Sequence, residues 1–308
     1  MLRYILKRVV SMFVTLWVVI TVTFFLMHSI PGDPFTNEKK IPEEIMANLK
    51  HKYGLDQPLI VQYGKYLQNL TKLDLGISLK YKNRSVNDMI SEGFPESAKL
   101  GMSASLFGIT MGILLGIIAS LNHKGFWDYF VIFIAIVGVS VPNFVFSSLF
   151  QYVFGVQLGW LPVARWGTPV HVILPAAALG FRMIAFQARM MRTSMLDVLG
   201  QDYIKTAKSK GLTKARVTRR HAIRNAILPV ITILGPLLAA MLTGTFVVEK
   251  IFAIPGLGKF YIQSIQQNDF TVILGTTVFY SSVLVLMIFF VDVAYGLIDP
   301  RIRLDEGQ

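Results

Sequence analysis

Little in this 308-residue chain is arranged to make or break covalent bonds. It has no cysteine, which removes disulfides, thiolate metal sites and a thiol nucleophile together and leaves the redox compartment open. Its histidines, His28, His51, His123, His171 and His221, are scattered. No HExxH and no i,i+4 pair sets two imidazoles on one helix face for zinc. Gly256-Leu257-Gly258-Lys259 looks briefly like a phosphate loop, but Phe260 follows the lysine and the glycine spacing is wrong, so ATP is not bound here by that means. What remains are charges in apolar company: Arg182, Asp292, and Glu249 beside Lys250. A charge at the centre of a membrane helix costs roughly 2.5–3.5 kcal/mol on insertion scales, so each of these needs a partner or a task. Arg182 either lines a polar pathway or snorkels along its own aliphatic stem. For Asp292, near the end of the last apolar run, a backbone or lipid partner is the better reading. Carriers coupled to protons or Na⁺ usually need more intramembrane carboxylates than these, so the energy for any transport must enter elsewhere.

The elements that hold these residues are written in hydropathy. Apolar residues make up 53% of the chain, and the mean hydropathy of +0.54 is far above what a soluble core requires. A span takes about 20 apolar residues to cross roughly 30 Å of hydrocarbon. On that criterion spans fall near 9–28, 98–121, 128–154, 172–190, 227–249 and 272–297, an all-α polytopic protein of about six transmembrane helices. The first has the Arg3, Lys7, Arg8 flank of a signal peptide, but its apolar run is too long and no small-residue cleavage site follows before Pro31. The net charge of +12 would suit a nucleic-acid binder, yet the basic residues lie between apolar runs and not on one polar domain. Topology explains them. Between spans four and five, Arg189, Arg192, Lys205, Lys208, Lys210, Lys214, Arg216, Arg219, Arg220 and Arg224 face only Asp197 and Asp202, a strong positive-inside signal. With six spans, both termini are expected on the cytoplasmic side.

Segment 31–97 carries as many acidic as basic residues and exerts little orienting bias, so the other loops place it outside. Ile45, Leu49 and Tyr53 after Pro42, and Ile60, Tyr63, Leu67 and Leu70 after Pro58, repeat at helical spacing and predict two short amphipathic helices. In the second span Ala104, Gly108, Gly112, Gly116 and Ser120 recur every fourth residue. Such a stripe allows two backbones to approach closely, within this subunit or against another. Pro142, Pro175 and Pro236 interrupt spans three, four and five. In the basic loop, Asp202 to Gly211 has the ends of a short helix: Asp202 to cap the first amides, Lys208 and Lys210 to suit the negative C-terminal end, and Gly211 to close in the left-handed region. A rod of that length is marginal alone, and it either lies on anionic headgroups or docks as a lever into a partner.

The run DYIKTAKSKGL at 202–212, followed by RHAIRNAILPVIT at 220–232, resembles the cytoplasmic loop of the permease subunits of binding-protein-dependent ABC importers, in their oligopeptide and dipeptide group. The general loop pattern is E-A-A, three residues, then Gly. Lys205 and Thr206 stand at its first two positions, Ala207 and Gly211 match, and Leu228-Pro229 falls later than in sugar-type permeases. The peptide-type group shares those departures. PGDPF at 31–35, EKIFAIPGLG at 249–258 and VDVAYGLIDPRIR at 291–303 are similar to the same group, so the likeness covers essentially the whole chain.

The resemblance implies a type I ABC importer permease fold, with an N-terminal transmembrane helix (1–30), an extracytoplasmic segment (31–97) and a permease core (98–308) whose coupling loop is 190–226. It implies a bacterial inner-membrane location, a second permease, two ATPase subunits that hold ATP and Mg, and an extracytoplasmic substrate-binding protein. No cofactor belongs to this chain. Asp202, Tyr203, Lys205, Thr206, Ala207, Lys208, Lys210 and Gly211 would form the ATPase-coupling helix, and Glu249, Pro255, Gly256 and Gly258 an external, receptor-facing loop. The long first external segment is similar to the first of the two paired permeases. Nickel importers share this architecture, and the lack of a His-rich cluster favours peptide. An autonomous channel or ion-coupled carrier would require pore-lining charges, and an intramembrane enzyme would require a nucleophile, base or metal set at membrane depth. The residues supply neither.

Overall fold

A computed structural model describes residues 2–29, 48, 51, 54–243 and 245–298, and no strand occurs among them. The chain forms two compact units, Met1–Glu96 with Gly256–Leu286, and Ser97–Pro255 with Met287–Gln308. The helix expected after Pro42 and the PGDPF run lie outside the described residues, as does the side chain of Asp292.

In the first unit, α1 (Leu2–Ser29) is a long apolar helix with almost no buried surface. The helix after Pro58 forms as expected: α2 (Leu59–Thr71) starts at Pro58, whose fixed φ suits a helix entrance. It meets α1 through aromatic rings. Phe24 lies 5.2 Å from Tyr63 and stacks on Tyr66 at 5.7 Å, while Thr21 Oγ1 and the Tyr63 hydroxyl are 2.6 Å apart. Burial pushes the pKa of the Tyr66 hydroxyl above its ordinary value. The same unit holds the first turns of α3 (Val86–Leu121), α11 (Leu257–Gln267) and most of α12 (Phe270–Ile298).

The second unit is built around α6 (Pro169–Leu199), which buries Leu174, Leu179, Met183, Ala188, Met191 and Met195. The small-residue stripe of α3 lies on it. A Cβ at Gly108 would stand 2.8 Å from Met183 Cβ, one at Gly112 2.5 Å from Gln187 Cβ, and one at Gly116 2.6 Å from Met191 Cβ, distances that real side chains do not tolerate. Because these contacts advance together along both helices, α3 and α6 run parallel. The stripe is thus used within the subunit.

Two expected spans are broken, both at proline. The third is α4 (Phe126–Ser140) followed by α5 (Asn143–Phe150) and a π-helical turn, Gln151–Gln157, with a bend of 110° between the halves. Pro142 forces the preceding Val141 into extended geometry and so ends α4. The fifth, expected at 227–249, is α8 (Ile223–Thr232), α9 (Leu234–Thr243) and α10 (Phe246–Ile251). Pro236 has no N–H for the Thr232 carbonyl four residues back, and the helix breaks between them. Among the described residues, four helices are therefore long and apolar enough to cross a bilayer, and five if the bent pair is one span.

Candidate coupling site

The basic loop folds into α7 (Asp202–Ser209), at the start predicted from its sequence. The cap differs. Gln201 holds the N-cap position in extended backbone without a side-chain bond, and Asp202 is the first helical residue. There its carboxylate suits the positive helix end and accepts from Lys205 Nζ at 2.9 Å, an exposed pair of small energetic value. Closure follows the expectation: Gly211 has φ +77°, and its N–H donates to the Lys208 carbonyl at 3.0 Å.

One face of α7 anchors it. Ile204 is fully buried and Ala207 nearly so, in a cluster with Met191 and Met195 of α6 and Val217, Ala222, Ala226 and Val230 beyond the loop. Asn225 of α8 donates from Nδ2 to the Tyr203 hydroxyl at 3.1 Å, adding a polar clamp. Asp202, Tyr203, Lys205, Thr206, Lys208 and Lys210 stay exposed on the other side. Of the residues named from sequence, Ala207 is thus an inward anchor, and the outward face is a short rigid ridge seated on the ends of α6 and α8. Ile204 was overlooked; a lone apolar residue among lysines was its only signal.

An ion pair that sequence did not disclose stands nearby. Asp128, in the first turn of α4, is 1% exposed and receives Nε and Nη2 of Arg192 in α6, the latter at 2.9 Å. The Lys124 N–H donates to the same carboxylate at 2.8 Å, and His123 Nδ1 lies 3.2 Å away. This two-point pairing fixes the start of α4 to the last third of α6.

Arg182 projects from the exposed side of α6, on one helical stripe with Phe186, Arg189 and Thr193, and away from the core. Expectation fails at Glu249. It is 1% exposed, hydrogen-bonded to the Thr245 hydroxyl, with neighbours Val248, Phe252 and Ile254 in the apolar core, so its carboxylate is no surface contact. The Thr245 hydroxyl offsets the burial of the carboxylate, and the Ile254 N–H donates to the Glu249 carbonyl at 2.8 Å. Pro255 is exposed, as are Lys250 and Ala253, whereas Gly256 and Gly258 are buried. Leu257 beside them abuts Gly93 of α3, where a Cβ would meet Leu257 backbone at 2.8 Å. Asp269, also overlooked, is fully buried and accepts from the Ser78 hydroxyl and from the N–H groups of Leu79, Lys80 and Val272, which ties the 73–85 loop to the start of α12. Among the described residues no three His, Asp or Glu side chains come together to hold a metal ion.

Residues 112–304 match the family model of the binding-protein-dependent transport system inner membrane component, and residues 1–101 match the N-terminal model of the same membrane components. The chain belongs to this family. It is 50% identical to the dipeptide transport system permease protein DppB of Bacillus subtilis, over 99% of both chains. It is 44% identical to the oligopeptide transport system permease protein OppB of Haemophilus influenzae, over 98% of this chain and all of that one. Among solved structures it is similar in fold to an amino acid ABC transporter, with a TM-score of 0.51, 20% identity and coverage of 68% of this chain and 94% of that one. A methionine ABC transporter in inward-facing form gives 0.52 and 17%, over 68% and 96%. The chain is a multi-pass inner-membrane permease subunit of the ABC importer type and not an enzyme.

Removing one partner of a buried ion pair leaves an uncompensated charge and costs about 3–5 kcal/mol. Asp128→Asn should accordingly lower the thermal midpoint of the purified chain in mild detergent, and Asp128→Leu with Arg192→Leu should recover part of the loss. An unchanged midpoint in Asp128→Asn would show that the pair contributes no net stability.

Proposed function

We propose that this chain is the first of two paired permeases in an importer of dipeptides or oligopeptides, with ATP and Mg held by two partner ATPase subunits and peptide delivered by an extracytoplasmic binding protein. The carrying observation is the 50% identity to a dipeptide permease across 99% of both chains. The positive-inside bias supports cytoplasmic termini and a cytoplasmic 190–226 loop. In that orientation segments 31–97 and 250–270 face the binding protein, with Pro255 in contact and Gly256 and Gly258 shaping the turn beside it.

The coupling element is α7. Its exposed ridge of Tyr203, Lys205, Thr206, Lys208 and Lys210 docks on an ATPase subunit, and its buried side, Ile204 and Ala207, transmits displacement to α6 and α8. Closure of the ATPase dimer on ATP moves the ridge and biases the permease between inward- and outward-facing states; hydrolysis resets it. Arg182, on the unpacked face of α6, lines the pathway formed with the second permease and offers a charge partner to the carboxylate end of a peptide.

Purification of the tagged chain from its native membrane should recover a second permease and ATPase subunits, with ATP hydrolysis stimulated by peptide plus binding protein. Stimulation by nickel alone, or solute movement in liposomes by the isolated chain without ATP, would overturn this reading. At Gly211 a β-branched residue is strained at φ +77° although the space beside it is open. Gly211→Val should therefore leave insertion and assembly intact but cut peptide uptake per ATP hydrolysed, and unchanged coupling would remove α7 from the mechanism. Arg182→Ala should alter uptake rate or peptide preference at equal complex yield; identical transport would assign Arg182 to the lipid boundary.

A further inference from the structure

Beyond the coupling ridge, the segment that re-enters the membrane carries a cavity of about 580 Å³ lined by Thr213, Ala215, Arg216, Arg219, Arg220 and Arg224. All four arginines are exposed, and among the described residues none forms an ion pair with a carboxylate. Asp202, an acid close to them in sequence, is engaged with Lys205. Four uncompensated guanidinium groups around one hollow repel each other and favour an anion between them.

Their backbone sets this geometry. Thr213 caps the turn by accepting from the Arg216 N–H at 3.4 Å, and residues Val217–Ala222 form a π-helical turn before α8. Val217 and Ala222 point inward to the apolar cluster, so the wide turn presents its arginines outward. Arg216, Arg220 and Arg224 recur at helical spacing, and the next position on that stripe is Leu228, 50% exposed. Arg224 and Leu228 thus lie about one turn apart on α8, an axial rise of about 6 Å along the backbone. The exposed arginines stand next to the start of the apolar run 226–243, with the exposed Leu228 one turn further into it.

We propose that this basin seats the phosphate of an anionic phospholipid, with one acyl chain lying along Leu228. Guanidinium forks pair with phosphate oxygens in two-point fashion, which a cluster of arginines at one interface is built to do. An acidic protein surface would satisfy the charges, but it would not match the exposed leucine that continues the same stripe. The inference requires only that the chain span the membrane and is independent of the substrate.

The test uses the purified importer complex in nanodiscs, with bound lipid read by native mass spectrometry and by competition with a fluorescent phosphatidylglycerol. Wild type should retain phosphatidylglycerol in preference to phosphatidylcholine. Arg219→Gln/Arg220→Gln/Arg224→Gln should weaken retention roughly tenfold or more, while Lys65→Gln/Lys72→Gln, which removes charge elsewhere, should not. Leu228→Gln should weaken phosphatidylglycerol without changing affinity for inorganic phosphate, which separates a lipid site from a free-anion site. Should the triple variant fail to assemble, the single variants Arg220→Gln and Arg224→Gln carry the same comparison. Equal retention in wild type and variants, full displacement of the lipid by millimolar phosphate, or protection of these arginines from phenylglyoxal by the ATPase subunits in lipid-free complex would each overturn the proposal.

Discussion

Hydrocarbon solvates an apolar helix as well as a neighbouring apolar helix does, so helices in a bilayer associate through close van der Waals contact and through polar groups that have no better partner. In this permease that constraint is met where Gly108, Gly112 and Gly116 of α3 lie on Met183, Gln187 and Met191 of α6. Any side chain beyond hydrogen at these glycines collides with the facing helix. The parallel seam makes α6 a fixed axis, and α4, α8 and the coupling helix α7 are all placed by what they bury on it.

Polar groups follow the same physics. Among the described residues each buried carboxylate is used as a fastener between segments distant in sequence or around a tight turn: Asp128 to Arg192, Glu249 to Thr245, Asp269 to the loop at Ser78. In a medium of low dielectric an unpaired carboxylate would be expensive, while a well-paired one is hard to pull apart. Exposed basic residues, by contrast, are dense on α7 and on the turn that follows it. Apolar seating below and exposed positive charge above is an arrangement that suits a force-transmitting or ligand-seating surface.

Local pattern was legible from sequence, and partnership was not. The start and closure of α7, the helix after Pro58 and the glycine stripe are all fixed by residues within a turn or two of one another, where spacing carries the information. Span three corresponds to a bent pair of helices, and 227–249 holds α8 to α10, none of them long enough by itself to cross a bilayer; the interruptions expected at Pro142 and Pro236 occur, whereas α6 runs unbroken through Pro175. A proline does not by itself end a helix, since Pro95, Pro175 and Pro229 sit inside α3, α6 and α8, and the size of the 110° bend at Pro142 depends on what the second half packs against. Asp202 shows the limit at the finest scale: a residue earlier, Gln201 takes the extended cap position, and one position changes a cap into a first-turn charge. Asp128 with Arg192, and Asp269 with Ser78, pair across 64 and 191 positions, and a single sequence holds no trace of such a match. The resemblance of EKIFAIPGLG at 249–258 assigns Glu249 to an external loop, whereas its burial depends on Thr245 and the core behind it.

The slight burial of α1 has a consequence for how the subunit is made. Only 6% of its apolar window is buried, against 50% for α6, and it is held at one end by Phe24 and Thr21 against α2. Apart from that contact, its hydropathy and not packing within the subunit places it, so it can settle in the membrane while the rest is still on the ribosome. Most of its surface meets no other described part of this chain, so drift among apolar residues there disturbs few internal contacts. The aromatic contacts near Phe24 are the part of α1 that such drift would have to spare.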